Sequence, residues 1–374
     1  MKICIDSLGV TQLRGTGMGT YTHEFLNSLM EMYPQPKYEL LWDNPQFELK
    51  VGKSNKVSFV NLNINRKEND YSNIEKHIED NKIDIYHCPN NGLSVPENKS
   101  CHYVTTVHDL LPIINSSYVD EKYREKFSKV FANAMKNSDK IITVSEFLKE
   151  QLKNNFDIAE KKIEVIYPGC SQIFKVKNEE SCNNILRSKY GVNGDYILHV
   201  GSIHIRKNLD KLIRAFKDIY SVNKELKLVF VGKNDGKRRE YYLKLKSIAE
   251  ELNIGEAVLF LGTVDYNDMP YFYSKAKCVV NLSKYEGFPM VAIEAMNCDT
   301  PVVWNRQSFF KEVLGSAGLS VDANDKEELV DTISEAAFNN DIREGLIKKQ
   351  REQGEKYKWE KNIIKTIRIY EEFF

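Results

Sequence analysis

The sequence predicts an α/β protein built as two successive units, each a mostly parallel sheet covered by helices on both faces. Three observations carry this. Short apolar runs rich in Val and Ile alternate with helix-period segments from one end to the other, as in buried parallel strands. The rhythm breaks once, between Pro168 and Gly194, where the chain turns polar (YPGCSQIFKVKNEESCNN) and reads as a hinge. A length of 374 residues also exceeds what one hydrophobic core comfortably serves.

In the first half the runs KICID, YELLW, VSFVNL, IDIYHC, YVTTVH, KIITVS and IEVIY read as strands. Helices fall between most of them, including Tyr21 to Met32 and Lys122 to Met135. The second half repeats the pattern with YILHVG, LKLVFVG, AVLFLG, CVVNLS, PVVWN and GLSVD. The expected division is therefore 1–170 and 171–356, with a terminal helix over 357–374. Trp359, Ile363, Ile367 and Tyr370 form one apolar stripe on that helix. Spacing leaves two docking sites open: the second unit's own core, or a return to the first unit.

Composition narrows the class. Lysine plus arginine total 53, as do aspartate plus glutamate, so no charge excess recruits nucleic acid. Hydrophobic residues at 42% and charged residues at 28% fit a globular chain rather than a disordered one. MKICIDSLGV has no signal-peptide core, and no apolar stretch is long enough to span a bilayer. The 7 cysteines include no C-x-x-C pair, which argues for reduced thiols in a cytoplasm and against a zinc knuckle.

Ligands of open α/β sheets bind beyond the carboxyl ends of the strands, and four such ends carry unusual chemistry. After KICID comes LGVTQLRGTGMGTYTHEF, where Gly15, Gly17 and Gly19 allow close backbone approach ahead of a helix N-terminus, which favours an anion. The spacing is not the tight G-x-G-x-x-G dinucleotide turn. In YVTTVHDLLP, His108 ends a buried strand; a histidine there is structural or faces a ligand. In ILHVGSIHIRKNLDKLIRAF, Arg206 and Lys207 stand just outside a helix capped by Asn208. The helix dipole repels two cations at that place, so an anion bridging them and the helix end explains them better than local stability.

The fourth end, CVVNLSKYEGFPMVAIEAMNCDTPVV, places Glu286 in a loop and Glu294 in the helix that follows. Pro289 suits the first helical position and Phe288 has no capping oxygen, leaving the N–H groups of Met290 and Val291 to seek a partner. Two carboxylates beside such a helix end point to a ligand with both phosphate and hydroxyl groups. No Asp-x-Asp pair is present, so no metal bridging a diphosphate is expected; its charge would be met by Arg206, Lys207 and backbone N–H groups.

Together these segments resemble the retaining glycosyltransferases of family 4, whose GT-B fold is two Rossmann-like domains facing each other across a cleft. The resemblance runs through G-M-G-T-Y-T (Gly17 to Thr22), T-V-H-D-L (Thr106 to Leu110), I-T-V-S-E-F (Ile142 to Phe147), V-G-S-x-x-x-R-K-N (Val200 to Asn208), E-x7-E (Glu286 to Glu294) and Y-K-W-E (Tyr357 to Glu360), all in order. It implies an acceptor domain followed by a donor domain, with the last helix crossing back to the first. It implies that Lys207, helped by Arg206, holds the donor diphosphate, that Glu294 binds the ribose, and that Glu286 and His108 approach the donor sugar. Backbone N–H groups of Phe288, Met290 and Val291 would meet sugar hydroxyls and phosphate. Gly17 and Gly19 would lie over the diphosphate, and the base would sit near Lys233, Thr263 and Val264. No cofactor is implied beyond the nucleotide-sugar substrate.

Two departures from the family pattern stand out. Ser202 occupies the place where many members have a diphosphate-binding arginine, and Pro289 removes an N–H that many members offer. The donor reading leans to GDP-mannose, with Asp265 or Asp268 available to read guanine; UDP-sugars are the alternative. The acceptor is a glycan or lipid-linked saccharide. Lys122, Arg124, Lys126 and Lys129, interleaved with Phe127 and Phe131, read either as a face resting on the inner membrane surface or as a solvated face with a core stripe. Rivals are a nicotinamide oxidoreductase, which lacks its dinucleotide turn, a same-fold epimerase or phosphorylase, and a non-catalytic glycosyltransferase-like subunit.

Overall fold

The computed structural model describes residues 1–13, 15–43, 55–62, 64 and 70–374. It divides into two compact units, one of Met1–Gly169 with Tyr357–Phe374 and one of Cys170–Lys356.

The first unit holds β1 (Lys2–Ile5), β2 (Lys37–Leu41), β3 (Val57–Val60), β4 (Ile85–Cys88), β5 (His102–Val107), β6 (Lys140–Thr143) and β7 (Ile163–Val165). They form one parallel sheet in the order β3-β2-β1-β4-β5-β6-β7. Parallel sheets bury both faces, which is why β4 is covered at every residue and reads as a largely apolar run.

The helix Gly17–Met32 begins four residues earlier than its apolar pattern suggests, because Thr16 caps it: the threonine Oγ1 accepts the Gly19 N–H at 3.2 Å. Gly17 and Gly19 are thus in the first helical turn rather than in a loop; only Gly15, at φ 76°, stays outside. The terminal helix Trp359–Glu371 belongs to this first unit. The Trp359 ring lies 5.3 Å from that of Tyr21, and the Tyr370 hydroxyl meets His87 Nδ1 at 2.5 Å. Its buried face is Trp359, Asn362, Ile363, Thr366, Ile369 and Tyr370, so the stripe read from sequence is rotated and Ile367 is only half-buried. Two polar residues share this seam, which hid its true phase. On the helix Glu121–Asn137, Phe127 and Phe131 are core residues, while Lys122 and Lys129 are exposed.

The second unit holds β8 (Tyr196–Val200), β9 (Lys227–Val231), β10 (Val258–Gly262), β11 (Cys278–Asn281), β12 (Val302–Asn305) and β13 (Leu319–Val321), parallel in the order β10-β9-β8-β11-β12-β13. Its core packs Ile197, Leu212, Phe216, Phe230, Leu329 and Ile333. A helix, Glu179–Tyr190, occupies the polar stretch that the sequence reading treats as hinge. Asn178 caps it and Gly191, at φ 67°, ends it. Only Cys182 and Leu186 on it are buried, too few to register as an apolar period.

Both sheets reverse direction of winding once, between β1 and β4 and between β8 and β11. Loops at such a reversal diverge to opposite faces of the sheet and leave a crevice at the strand ends. The loops after β8 and β11 are those that carry Arg206, Lys207 and Glu286.

Candidate active site

Three neighbouring strands of the second unit end on glycines that an L-residue would strain: Gly201 after β8 (φ 143°), Gly232 after β9 (φ 149°) and Gly262 closing β10 (φ 70°). Gly201 N–H donates to Val231 O at 2.9 Å and Gly232 N–H to Gly262 O at 2.8 Å, so the three form one ledge of bare backbone. A Cβ on Gly232 would stand 2.0 Å from Gly201 O and 3.1 Å from Ser202 N. Gly232→Ala is therefore expected to cost about 1–3 kcal/mol through overpacking. That loss would be read as a lower urea midpoint; an unchanged midpoint would show that the ledge can yield.

Ser202, Lys233, Thr263 and Val264 follow these glycines. Lys233 O accepts the Ile203 N–H at 2.9 Å, while its exposed ammonium lies 3.6 Å from Asp235. Asp265 caps the turn Tyr266–Asp268 and is exposed. Asp268 is buried and committed to Lys189 Nζ at 2.9 Å and Tyr190 OH at 2.7 Å. Its carboxylate is thus already engaged, which weighs against one of the two guanine-reading candidates.

The loops after β8 and β11 are clamped together. Lys284 N–H donates to Arg206 O (2.9 Å), Arg206 Nη1 to Tyr285 O (2.7 Å) and Asn208 Nδ2 to Leu282 O (2.9 Å). Asn208 adopts φ 54°, a left-handed conformation that asparagine tolerates, and this turns the chain into the helix Leu209–Val222. The clamp gathers a partly buried charge cluster, with Lys207 its most buried member, in which Glu286 Oε1 pairs with Lys207 Nζ and, at 2.9 Å, with Arg206 Nη1. Burial alone pushes the Glu286 carboxyl up, yet the two cations outweigh it and hold it at about 2. Burial pulls Lys207 down to about 8 with Arg206 adding to the effect, while Glu286 opposes. Arg206 is thus engaged with both the Glu286 carboxylate and the Tyr285 carbonyl.

Glu294 is on the helix Met290–Asn297, which starts after Pro289 without a capping side chain. Met290 N–H donates to Phe288 O at 3.0 Å, so that donor is already engaged, contrary to the sequence reading; Val291 shares the first turn. Glu294 is buried, and Tyr273 OH donates to its Oε2 at 2.5 Å. Burial raises its carboxyl to about 7 although the Tyr273 hydrogen bond opposes the rise.

In the first unit His108 donates its backbone N–H to Asn91 Oδ1 at 2.5 Å. Its Nε2 lies 2.7 Å from Pro89 O, a pure acceptor, so Nε2 carries the proton. Burial lowers the ring to about 4, leaving it neutral with Nδ1 as an acceptor for a hydroxyl. Tyr21, one turn into the helix Gly17–Met32, packs edge-on against it at 4.5 Å, so the glycine turn and His108 share one neighbourhood.

The family description "Glycosyl transferases group 1" matches residues 184–353, and "Glycosyltransferase Family 4" matches residues 16–171. An uncharacterised glycosyltransferase of Methanocaldococcus jannaschii is 31% identical over 286 residues, 75% of this chain and 70% of the relative. The chain belongs to the family 4-like glycosyltransferases. This glycosyltransferase is also similar to O-antigen chain mannosyltransferase B of Escherichia coli, at 27% identity over 293 residues, 78% of this chain and 75% of that protein. Its fold is GT-B: sucrose-phosphate synthase from Thermosynechococcus elongatus superposes with a TM-score of 0.79 at 20% identity, covering 100% of this chain and 99% of that one. The enzyme is a hexosyltransferase that moves a sugar from a nucleotide-sugar donor.

Sequence reasoning missed two residues that complete this arrangement, Tyr273 and His199. Tyr273 looks like one more aromatic in a helix. His199 left a usable signal, a polar residue in the middle of the buried run YILHVG.

Proposed function

We propose that this glycosyltransferase transfers mannose from GDP-mannose, with retention of anomeric configuration, to a hydroxyl of a glycan or lipid-linked saccharide in the synthesis of a cell-surface polysaccharide. The observation that carries the donor site is the partly buried Lys207–Glu286–Arg206 cluster, with Glu294, its carboxyl raised by burial, on the following helix. Lys207 holds the diphosphate and stabilises the negative charge that grows on it as the sugar bond breaks. Glu286, kept ionised, accepts hydrogen bonds from sugar hydroxyls near the reacting carbon. Glu294 accepts from the ribose hydroxyls, the Val291 N–H meets the donor, and the bare ledge with Ser202, Lys233, Thr263 and Val264 receives the base. The departing phosphate takes the acceptor proton on the face it leaves, which retains the configuration.

The first unit takes the acceptor, with His108 Nδ1 and the N-terminal turn at Gly17 and Gly19 facing the saccharide or phosphate. Mannose is favoured by the mannosyltransferase relative, and a UDP-sugar is the alternative. The compartment proposed is a reducing cytoplasm, in keeping with 7 cysteines that include no C-x-x-C pair. With Phe127 and Phe131 in the core, any contact with an anionic membrane would rest on Lys122, Lys129 and the half-exposed Tyr123.

Thermal unfolding with GDP, UDP, ADP, dTDP and CMP in parallel tests the donor. A ligand at 100 times its Kd adds about 2.7 kcal/mol to native stability, a shift of a few degrees. A shift with GDP alone supports the proposal, a shift with UDP alone moves it to the alternative, and no shift in folded protein favours a non-catalytic subunit.

A further inference from the structure

His199 lies two residues before Gly201 on β8 and has no solvent exposure. Its Nδ1 is 2.9 Å from Val280 O; a carbonyl only accepts, so Nδ1 carries the proton and donates. In the neutral ring Nε2 is then a bare acceptor, and it has no hydrogen-bond partner among the described residues. A buried acceptor without a partner is unfavourable, so its presence beside a charge cluster calls for a physical reason.

Gly201 shows what this lone pair faces. A Cβ built on Gly201 would stand 3.5 Å from His199 Nε2 and 3.4 Å from Lys207 Nζ. Because residue 201 has no side chain, the space that both the imidazole acceptor and the ammonium border is not filled by a Cβ. Lys207 has three N–H donors, and only one is directed at Glu286 Oε1.

We infer that His199 is a positioning residue for Lys207, its Nε2 accepting one ammonium N–H when the donor diphosphate binds, so that Glu286 and His199 together fix two donors and direct the third at the diphosphate. The inference rests on the reading of Lys207 as the diphosphate-binding group. It requires a neutral imidazole, since an imidazolium has no lone pair to offer. Burial, with Lys207 and Arg206 adding to it and Glu286 and the Val280 carbonyl opposing, holds His199 at about 3. The ring is therefore neutral near pH 7 and keeps this acceptor.

The test uses the full chain with ¹⁵N-labelled histidine, the His199 signals being those lost in His199→Gln. The probe is whichever of GDP, UDP, ADP and dTDP binds most tightly. On its addition the wild-type Nε2 resonance should move from the bare to the hydrogen-bonded position while Nδ1 stays protonated; an Nε2 that does not respond overturns the inference. In calorimetry, His199→Phe should weaken the diphosphate about tenfold and leave the parent nucleoside unaffected, and His199→Gln, which restores an acceptor, should recover most of the loss. An equal loss for nucleoside and diphosphate marks a packing role and overturns it too. Wild-type affinity for the diphosphate in Lys207→Ala would instead overturn the reading on which it rests.

Discussion

Replacing Lys207 by alanine should lower kcat/KM for sugar transfer by about 10²–10³-fold, the usual cost of removing one preorganised group that stabilises a developing anion. The effect should fall mainly on kcat, because the charge on the leaving diphosphate is larger in the transition state than in the bound donor. Stability should suffer less. Breaking a buried pair costs about 3–5 kcal/mol when a lone charge is left behind, but Arg206 remains 2.9 Å from Glu286 and keeps it paired. A loss of about 1–2 kcal/mol is expected, most of it from packing of the buried stem. Lys207→Met, which keeps the stem, should recover that stability and none of the activity. Steady-state kinetics beside urea unfolding separate the two effects, and unchanged turnover in Lys207→Ala would remove this residue from the site.

The second large effect concerns pH. Glu294 has an ordinary carboxyl value of 4.5 in the unfolded chain and about 7 in the fold, raised chiefly by burial. Between those values the native state binds more protons than the unfolded state, so stability falls as pH rises through this window. Above pH 7 the full penalty, about 3 kcal/mol, is in place. Glu294→Gln should therefore stabilise the free enzyme at pH 8 by up to that amount and make no difference near pH 4. In the proposed site ribose hydroxyls would donate to the ionised carboxylate, so nucleotide affinity should move the opposite way. From pH 8 to pH 6 the wild type should lose about tenfold in affinity, with proton release on binding near pH 7. Glu294→Gln should bind weakly and with no such dependence. A variant that is more stable but binds as tightly as wild type would show that Glu294 is a core residue with no ligand.

The division of labour between chain and fold is visible in particular residues. Strands such as CVVN in β11 and IYHC in β4 could be read directly, because burial on both faces of a parallel sheet demands largely apolar runs, here broken only by Asn281 and His87. The helix Glu179–Tyr190 could not, since it buries only Cys182 and Leu186 and looks like a polar linker. Arg206, Lys207 and Glu286 were legible as chemistry: cations at a helix start and a carboxylate after a strand have no cheap local explanation.

What they do to one another was not legible. Glu286 is 79 residues from Lys207 and one more from Arg206, and only the adjacency of β8 and β11 joins them. The same holds for what was misread. Asp268 looked free to meet a base until the fold brought Lys189 and Tyr190 against it from 79 and 78 residues away. The terminal helix showed an apolar stripe, yet its true seam includes Asn362 and Thr366, because the surface it meets decides which face is buried. Sequence by itself thus determined the strands, most of the helices, their order and the charged groups without a local explanation, all products of local spacing and burial preference. Tertiary structure alone decided which groups are paired, which are desolvated and how far each is shifted. Those properties arise from long-range proximity and low dielectric, and a linear pattern carries neither.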